Sequence, residues 1–214
     1  MHDNQPVHHW GAPLESAAAA VILIHGRGAD GADMLGLARA FDRPKLAYLA
    51  PDAAGHTWYP QSFMAPREQN EPWLSSALRL IESIVTSVLD AGRLTETRIV
   101  VGGFSQGACL SSEFVLRHPR RYAGLIAFSG GLIGPAGTKW DDVTAAYDGM
   151  PIFLGCSDVD PHIPKERVIE TDAVYSRLGA KVTRKLYPGM PHTIVEDEIV
   201  EARKVLDEMV RPRD

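Results

Sequence analysis

A mostly parallel α/β fold, one sheet with helices on both faces, is predicted by three observations. Short apolar or β-branched runs recur along the 214 residues. Most segments between them carry helical spacing, and glycine or proline stands where those helices must stop. The runs are Val21 to Ile24, Leu46 to Leu49, Ile99 to Val101, Leu125 to Phe128, Ile152 to Leu154 and Val182 to Tyr187. They are read as strands buried on both faces.

The first helix predicted with clarity runs from about Pro72 to Ala91, with Leu74, Ala77, Ile81, Ile84 and Val88 on one face and Gly92 as its stop. A second spans about Gln106 to His118, where Pro119 forbids continuation. A third begins near Pro164, whose fixed φ suits a first turn, and ends at Leu178-Gly179. The last covers about Ile194 to Val210, with apolar residues 195, 199, 202, 206 and 209 on one stripe and Thr193 with Glu196 as a capping box. Between Asp52 and Glu71 there is no periodicity. Several prolines and the aromatics Trp58, Tyr59 and Phe63 make that long loop a candidate pocket wall.

Composition bounds the function. Hydrophobic residues at 45% and charged residues at 23% are globular values, and the chain length suits one α/β domain over residues 1–214. A formal charge of −5 without a Lys/Arg cluster argues against a nucleic-acid partner. Two cysteines, Cys109 and Cys156, make a disulfide framework improbable, and with no basic, apolar leader the expected compartment is the cytoplasm. The longest apolar run, Ala17 to Ile24, is less than half of the roughly 20 residues a membrane span needs, so no membrane insertion is expected.

The segment Gly103-Phe104-Ser105-Gln106-Gly107 carries the chemistry. Gly-x-Ser-x-Gly by itself arises by chance in roughly one chain of this length in fifteen, so its context decides. Here a strand ends at Gly102-Gly103 and a helix starts at Gln106, the strand-turn-helix that exposes a serine Oγ above a sheet. Such a serine needs a base, and histidine is the usual one. Of eight histidines, 2, 8 and 9 lie near the start, His25 belongs to a glycine loop and His118 ends a helix. His192, after the last strand and the turn Pro188-Gly189-Met190-Pro191, is the candidate.

An acid must hold the imidazole in one tautomer, and the chain order Ser, Asp, His puts it between residues 105 and 192. The loop from Gly155 to Pro164 offers Asp158 and Asp160. Asp160 is favoured because Pro161 stiffens its turn, whereas Asp158 is expected to bond backbone N–H groups within the loop. Cys109, four residues past Ser105, is read as a small buried residue rather than a second nucleophile, and no histidine or carboxylate spacing suggests a metal. The glycine loop His25-Gly26-Arg27-Gly28 follows a strand and is able to aim a backbone N–H at a carbonyl oxygen, with the N–H of Gln106 as the second donor.

Taken in order, His-Gly-x-Gly, Gly-Phe-Ser-Gln-Gly, Asp-Pro-x-Ile-Pro and Gly-Met-Pro-His resemble the phospholipase/carboxylesterase family of α/β-hydrolases, which includes the acyl-protein thioesterases. The resemblance covers about residues 20 to 210. It implies an α/β-hydrolase fold without a large cap domain and cofactor-free hydrolysis of a small-molecule ester or thioester through an acyl-enzyme. It also implies catalytic roles for Ser105, Asp160 and His192 and oxyanion roles for the backbones of Arg27 and Gln106. Precedent adds a homodimer as an expectation.

Arg27 departs from the thioesterase pattern, where an apolar residue is usual. Two readings follow: Arg27, with Arg67, recognises an ester bearing a carboxylate, or it braces its loop by a salt bridge to Asp30 or Asp33. Trp58, Tyr59 and Phe63 complete the expected substrate-binding set.

Overall fold

The structure, a computed structural model, describes residues 1–210. Seven strands form one sheet: β1 (Val7–Gly11), β2 (Ala20–Ile24), β3 (Ala47–Pro51), β4 (Ile99–Phe104), β5 (Gly124–Phe128), β6 (Pro151–Ser157) and β7 (Lys181–Tyr187). Their spatial order is β1-β3-β2-β4-β5-β6-β7. β1 pairs antiparallel with β3 and every other pairing is parallel. Five helices accompany them: α1 (Gly31–Phe41), α2 (Trp73–Asp90), α3 (Gln106–Arg117), α4 (Lys165–Arg177) and α5 (Glu196–Val210).

Strand alternation divides the apolar residues between two cores, because successive side chains point to opposite faces. In β2, Ile22 and Ile24 join the larger core, under α2, α3 and α4. Val21 and Leu23 join the smaller one, under α1 and α5. β5 divides in the same way, with Leu125 and Ala127 on the first face and Ile126 and Phe128 on the second. Both faces being covered explains why the central strands read as unbroken apolar runs.

The predicted strands and helices agree with the structure in extent to within a few residues, and the differences have local causes. β7, expected to be buried on both faces, is instead an edge strand with Lys181, Thr183 and Arg184 exposed. β1 and α1 are additional. The strand VHHWG is only partly buried, and its antiparallel partner lies far along the chain. α1 opens with Asp30 and Asp33 capping each other: Asp30 Oδ1 accepts from the Asp33 N–H and Asp33 Oδ2 from the Asp30 N–H, both at 3.1 Å.

At α5 the capping pair is shifted. Glu198 Oε2 accepts from the Val195 N–H at 2.9 Å, which puts the helix start two residues beyond the expected Thr193 and Glu196 pair. The segment between β5 and β6 is an irregular strap without a helix. The Asp52 to Glu71 loop holds only two short 3₁₀ turns, Ala54–His56 and Arg67–Asn70.

Candidate active site

The C-terminal ends of the parallel strands deliver the site, since β4, β6 and β7 each run into one of its loops. Ser105 sits between β4 and α3 with φ 55° and ψ −119°, a conformation that costs a non-glycine residue on the order of 1–3 kcal/mol. The surroundings hold it there. The Ser105 N–H donates to Phe128 O at 2.9 Å, and its own carbonyl accepts from Cys109 at 3.0 Å.

Glycine is required on either side because β2 passes close by. A Cβ at residue 107 would stand 2.0 Å from Ile24 O, and one at residue 103 would stand 2.4 Å from the same oxygen. Gly-x-Ser-x-Gly is thus the pattern of an elbow jammed against its neighbouring strand.

His192 and Asp160 meet this serine from the loops after β7 and β6. His192 Nε2 lies 2.9 Å from Ser105 Oγ, and His192 Nδ1 lies 2.6 Å from Asp160 Oδ2. The Asp160 side chain is fully buried, which raises its carboxyl. The hydrogen bonds from His192 and from the His162 and Ile163 N–H groups to Oδ1, at 2.8 and 3.0 Å, outweigh that effect and hold it below the usual carboxylate value. An ionised Asp160 favours a proton on Nδ1, leaving Nε2 to accept from the serine hydroxyl.

Asp158 acts differently from the expectation. Its Oδ1 accepts from the Gly189 N–H at 2.8 Å, so it ties the aspartate loop to the histidine loop rather than bonding within its own.

A cleft of about 570 Å³ opens above Ser105, lined among others by Arg27, Tyr59, Phe63, Gln106, His162 and Ile163. The amides of Arg27 and Gln106 belong to residues on its wall. Gln106 starts α3, where an N–H has no acceptor within the helix. The Arg27 N–H donates to no backbone or side-chain group among the described residues. Cys109 also borders the cleft, and burial pushes its thiol up to about 12, too high for a nucleophilic thiolate at neutral pH.

The Asp52 to Glu71 loop is the far wall, and it is pinned along its length. Gln106 Oε1 accepts from the Trp58 N–H at 3.0 Å, and Gln106 Nε2 donates to Tyr59 O at 2.8 Å. Buried His25 accepts the Ala53 N–H at Nε2, 3.0 Å, which leaves Nδ1 to donate to Gly26 O at 2.7 Å. Buried His2 accepts the Ala54 N–H at Nδ1 and donates from Nε2 to Trp58 O, both at 3.0 Å. Desolvation lowers both imidazoles, consistent with neutral rings fixed in opposite tautomers.

Two of the expected substrate contacts leave the cleft, and the alternative brace at Arg27 takes another form. Trp58 is wholly buried and does not line the cleft; its indole N–H donates to His25 O at 2.9 Å, so it supports the wall from behind. Arg67 is also absent from the cleft lining. Its guanidinium bonds Ile133 O at 3.0 and 3.1 Å and faces the buried Glu113 carboxylate at 3.3 Å. Arg27 makes no salt bridge to Asp30 or Asp33, whose carboxylates are spent on the α1 cap. It donates instead to the carbonyls of Tyr59, Pro60 and Gln61 at 2.9, 3.2 and 2.9 Å.

His162 is a cleft residue to which the sequence assigned no role. Its ring meets that of His192 edge to face, centroids 4.9 Å apart, while Phe104 flanks His192 at 4.8 Å. The only sequence signal was its place two residues after Asp160.

A mostly parallel sheet with helices on both faces, and a serine elbow at the end of its central strand, defines an α/β-hydrolase. The chain belongs to the phospholipase/carboxylesterase family, whose sequence model matches residues 11–210. It is similar to a phospholipase/carboxylesterase from Dyadobacter fermentans of known structure, with 38% identity, a TM-score of 0.89 and coverage of 97% of both chains. A second solved structure, esterase PE8, matches at 25% identity and a TM-score of 0.79, over 96% of this chain and 98% of that one.

Among curated relatives, acyl-protein thioesterase 1 of Cryptococcus neoformans is 24% identical over 94% of this chain and 96% of its own length. Its Debaryomyces hansenii counterpart is 29% identical over 61% of this chain and 56% of its own length. Esterases and acyl-protein thioesterases thus surround the chain, in a family of serine hydrolases. No helix among the described residues is long and apolar enough to cross a membrane.

Proposed function

We propose that this protein is a serine carboxylesterase that hydrolyses small carboxylic esters through an acyl-enzyme on Ser105. The observation that carries the reading is the unbroken relay from Ser105 Oγ through His192 to a buried carboxylate, at 2.9 and 2.6 Å. His192 takes the serine proton as Oγ attacks the ester carbonyl. Asp160 stabilises the imidazolium that results. The N–H groups of Arg27 and Gln106 hold the oxyanion, and His192 then returns the proton to the departing alcohol. Water repeats the cycle on the acyl-enzyme.

No step calls for a cofactor. The two cysteines, both buried and free, accord with a reducing compartment such as the cytoplasm. The rival reading, an acyl thioesterase or lysophospholipase, rests on the thioesterase relatives and the family's phospholipase members. A chain-length series of p-nitrophenyl esters beside the matching acyl thioesters separates the two: a small-ester hydrolase turns over short acyl esters fastest, and a preference for long acyl thioesters refutes that substrate class. Labelling by a fluorophosphonate, lost in Ser105→Ala, separates either enzyme from a non-catalytic ligand-binding protein of the same fold.

A further inference from the structure

We infer that the cleft carries an anion subsite, formed by the Arg27 guanidinium and the His162 imidazole, and that its preferred esters bear a carboxylate. The inference rests on the esterase reading and names the substrate class. Arg27 has five N–H donors, and the carbonyls of Tyr59, Pro60 and Gln61 engage three of them, leaving two. Those carbonyls fix the guanidinium against the cleft wall without neutralising it, and no carboxylate among the described residues lies within ion-pair distance. A cation held in place by neutral acceptors, with its Nε–H and one Nη1–H still able to donate, suits an anionic group such as a carboxylate.

His162 borders the same cleft, and its ring nitrogens bond to no described residue. One of them carries a proton in either charge state. No aspartate or glutamate lines the cleft, since Asp160 is sealed beneath His192. The charge-bearing side chains a substrate meets are therefore Arg27, His162 and the base itself. Arg67, which the sequence made a partner for Arg27, is committed to Glu113 and takes no part.

The carboxylate belongs either to the acyl or to the alcohol portion of the ester, and two arms tell these apart. The first compares the mono-p-nitrophenyl ester of glutaric acid with its terminal carboxamide analogue. The second compares 4-(butyryloxy)benzoate with 4-(butyryloxy)benzamide. The expected result is a kcat/KM at least about tenfold higher for the carboxylate in one arm at low salt, shrinking as ionic strength rises. The advantage should fall severalfold in His162→Asn and be largely lost in Arg27→Met.

Because Arg27→Met also frees the loop at residues 59–61, Arg27→Lys serves as the rescue, restoring part of the charge preference. Equal kcat/KM for carboxylate and carboxamide in both arms, with turnover intact, overturns the subsite and leaves the esterase standing. Calorimetry of glutarate against glutaramide on Ser105→Ala protein reads the subsite without turnover. Glutarate is expected to bind more tightly there, and equal affinity overturns the proposal.

Discussion

Glu198, in the first turn of α5, is a buried carboxyl without a cation, and replacing it with glutamine should make the protein more stable in a strongly pH-dependent way. Its Oε2 accepts from the Val195 N–H, while Oε1 has no partner and stands 2.2 Å from where a Cβ on Gly155 would be. Burial raises its pKa to about 7. The Val195 hydrogen bond opposes that shift, and the charge of Asp197 adds to it.

The folded chain therefore holds a proton that the unfolded chain has released. The folded pKa is the higher one, so stability falls as pH rises from about 4.5 to about 7. A shift from 4.5 to about 7 corresponds, at 1.36 kcal/mol per unit, to about 3 kcal/mol at pH 8 and less than about 1 kcal/mol at pH 5. Glu198→Gln keeps the shape and removes the titration. Thermal unfolding of both proteins should show the variant roughly 6 to 12 °C higher in Tm at pH 8 and close to wild type at pH 5. An equal gain at both pH values, or none at pH 8, would refute the view that Glu198 is a destabilising buried acid.

Three other outcomes follow from the site. Asp160→Asn should keep the fold but lower kcat by about 10⁴-fold, because an amide no longer enforces the tautomer that leaves Nε2 free; steady-state kinetics on a short p-nitrophenyl ester checks it. Gly107→Ala puts a methyl 2.0 Å from Ile24 O and should cost about 3 kcal/mol or more, or yield no folded protein, as urea unfolding and soluble yield will show. Gln106→Ala leaves the backbone N–H in place but unpins Trp58 and Tyr59. It should lose about 2 kcal/mol of stability and speed proteolysis of the loop, and Gln106→Glu, which sets a buried carboxylate oxygen against the Tyr59 carbonyl, should lose at least as much.

The sequence exposed those parts of the fold whose signal is local. Strands covered on both faces announce themselves as apolar runs, and the glycines of the elbow sit where another strand leaves no space for a Cβ. β1 escaped because a half-exposed edge strand such as VHHWG has no such run. α1 escaped because its capping box uses Asp33 in place of the usual glutamate or glutamine, and because Gly31 and Gly36 blur its helical character.

At the site, the meeting of Ser105, Asp160 and His192 was legible because each lies on the loop or turn after a strand and their order limits the choice. The cleft wall was not. Whether Trp58, Tyr59, Phe63 or Arg67 faces the cleft depends on how an aperiodic loop is pinned by Gln106, His25 and His2, which lie far from it in sequence. The fates of Arg27 and Arg67 were undecidable for the same reason. Each guanidinium binds backbone carbonyls, which carry no residue signature.

Everything proposed for the cleft depends on Ser105 being a nucleophile activated by His192. The most direct test of that role is fluorophosphonate labelling of wild-type protein followed by mass spectrometry of the modified peptide, with Ser105→Ala alongside. A single adduct is expected on Ser105, formed at a rate that falls steeply in His192→Ala, and none in Ser105→Ala. Labelling elsewhere, or ester turnover surviving at near wild-type rate in Ser105→Ala, would contradict it.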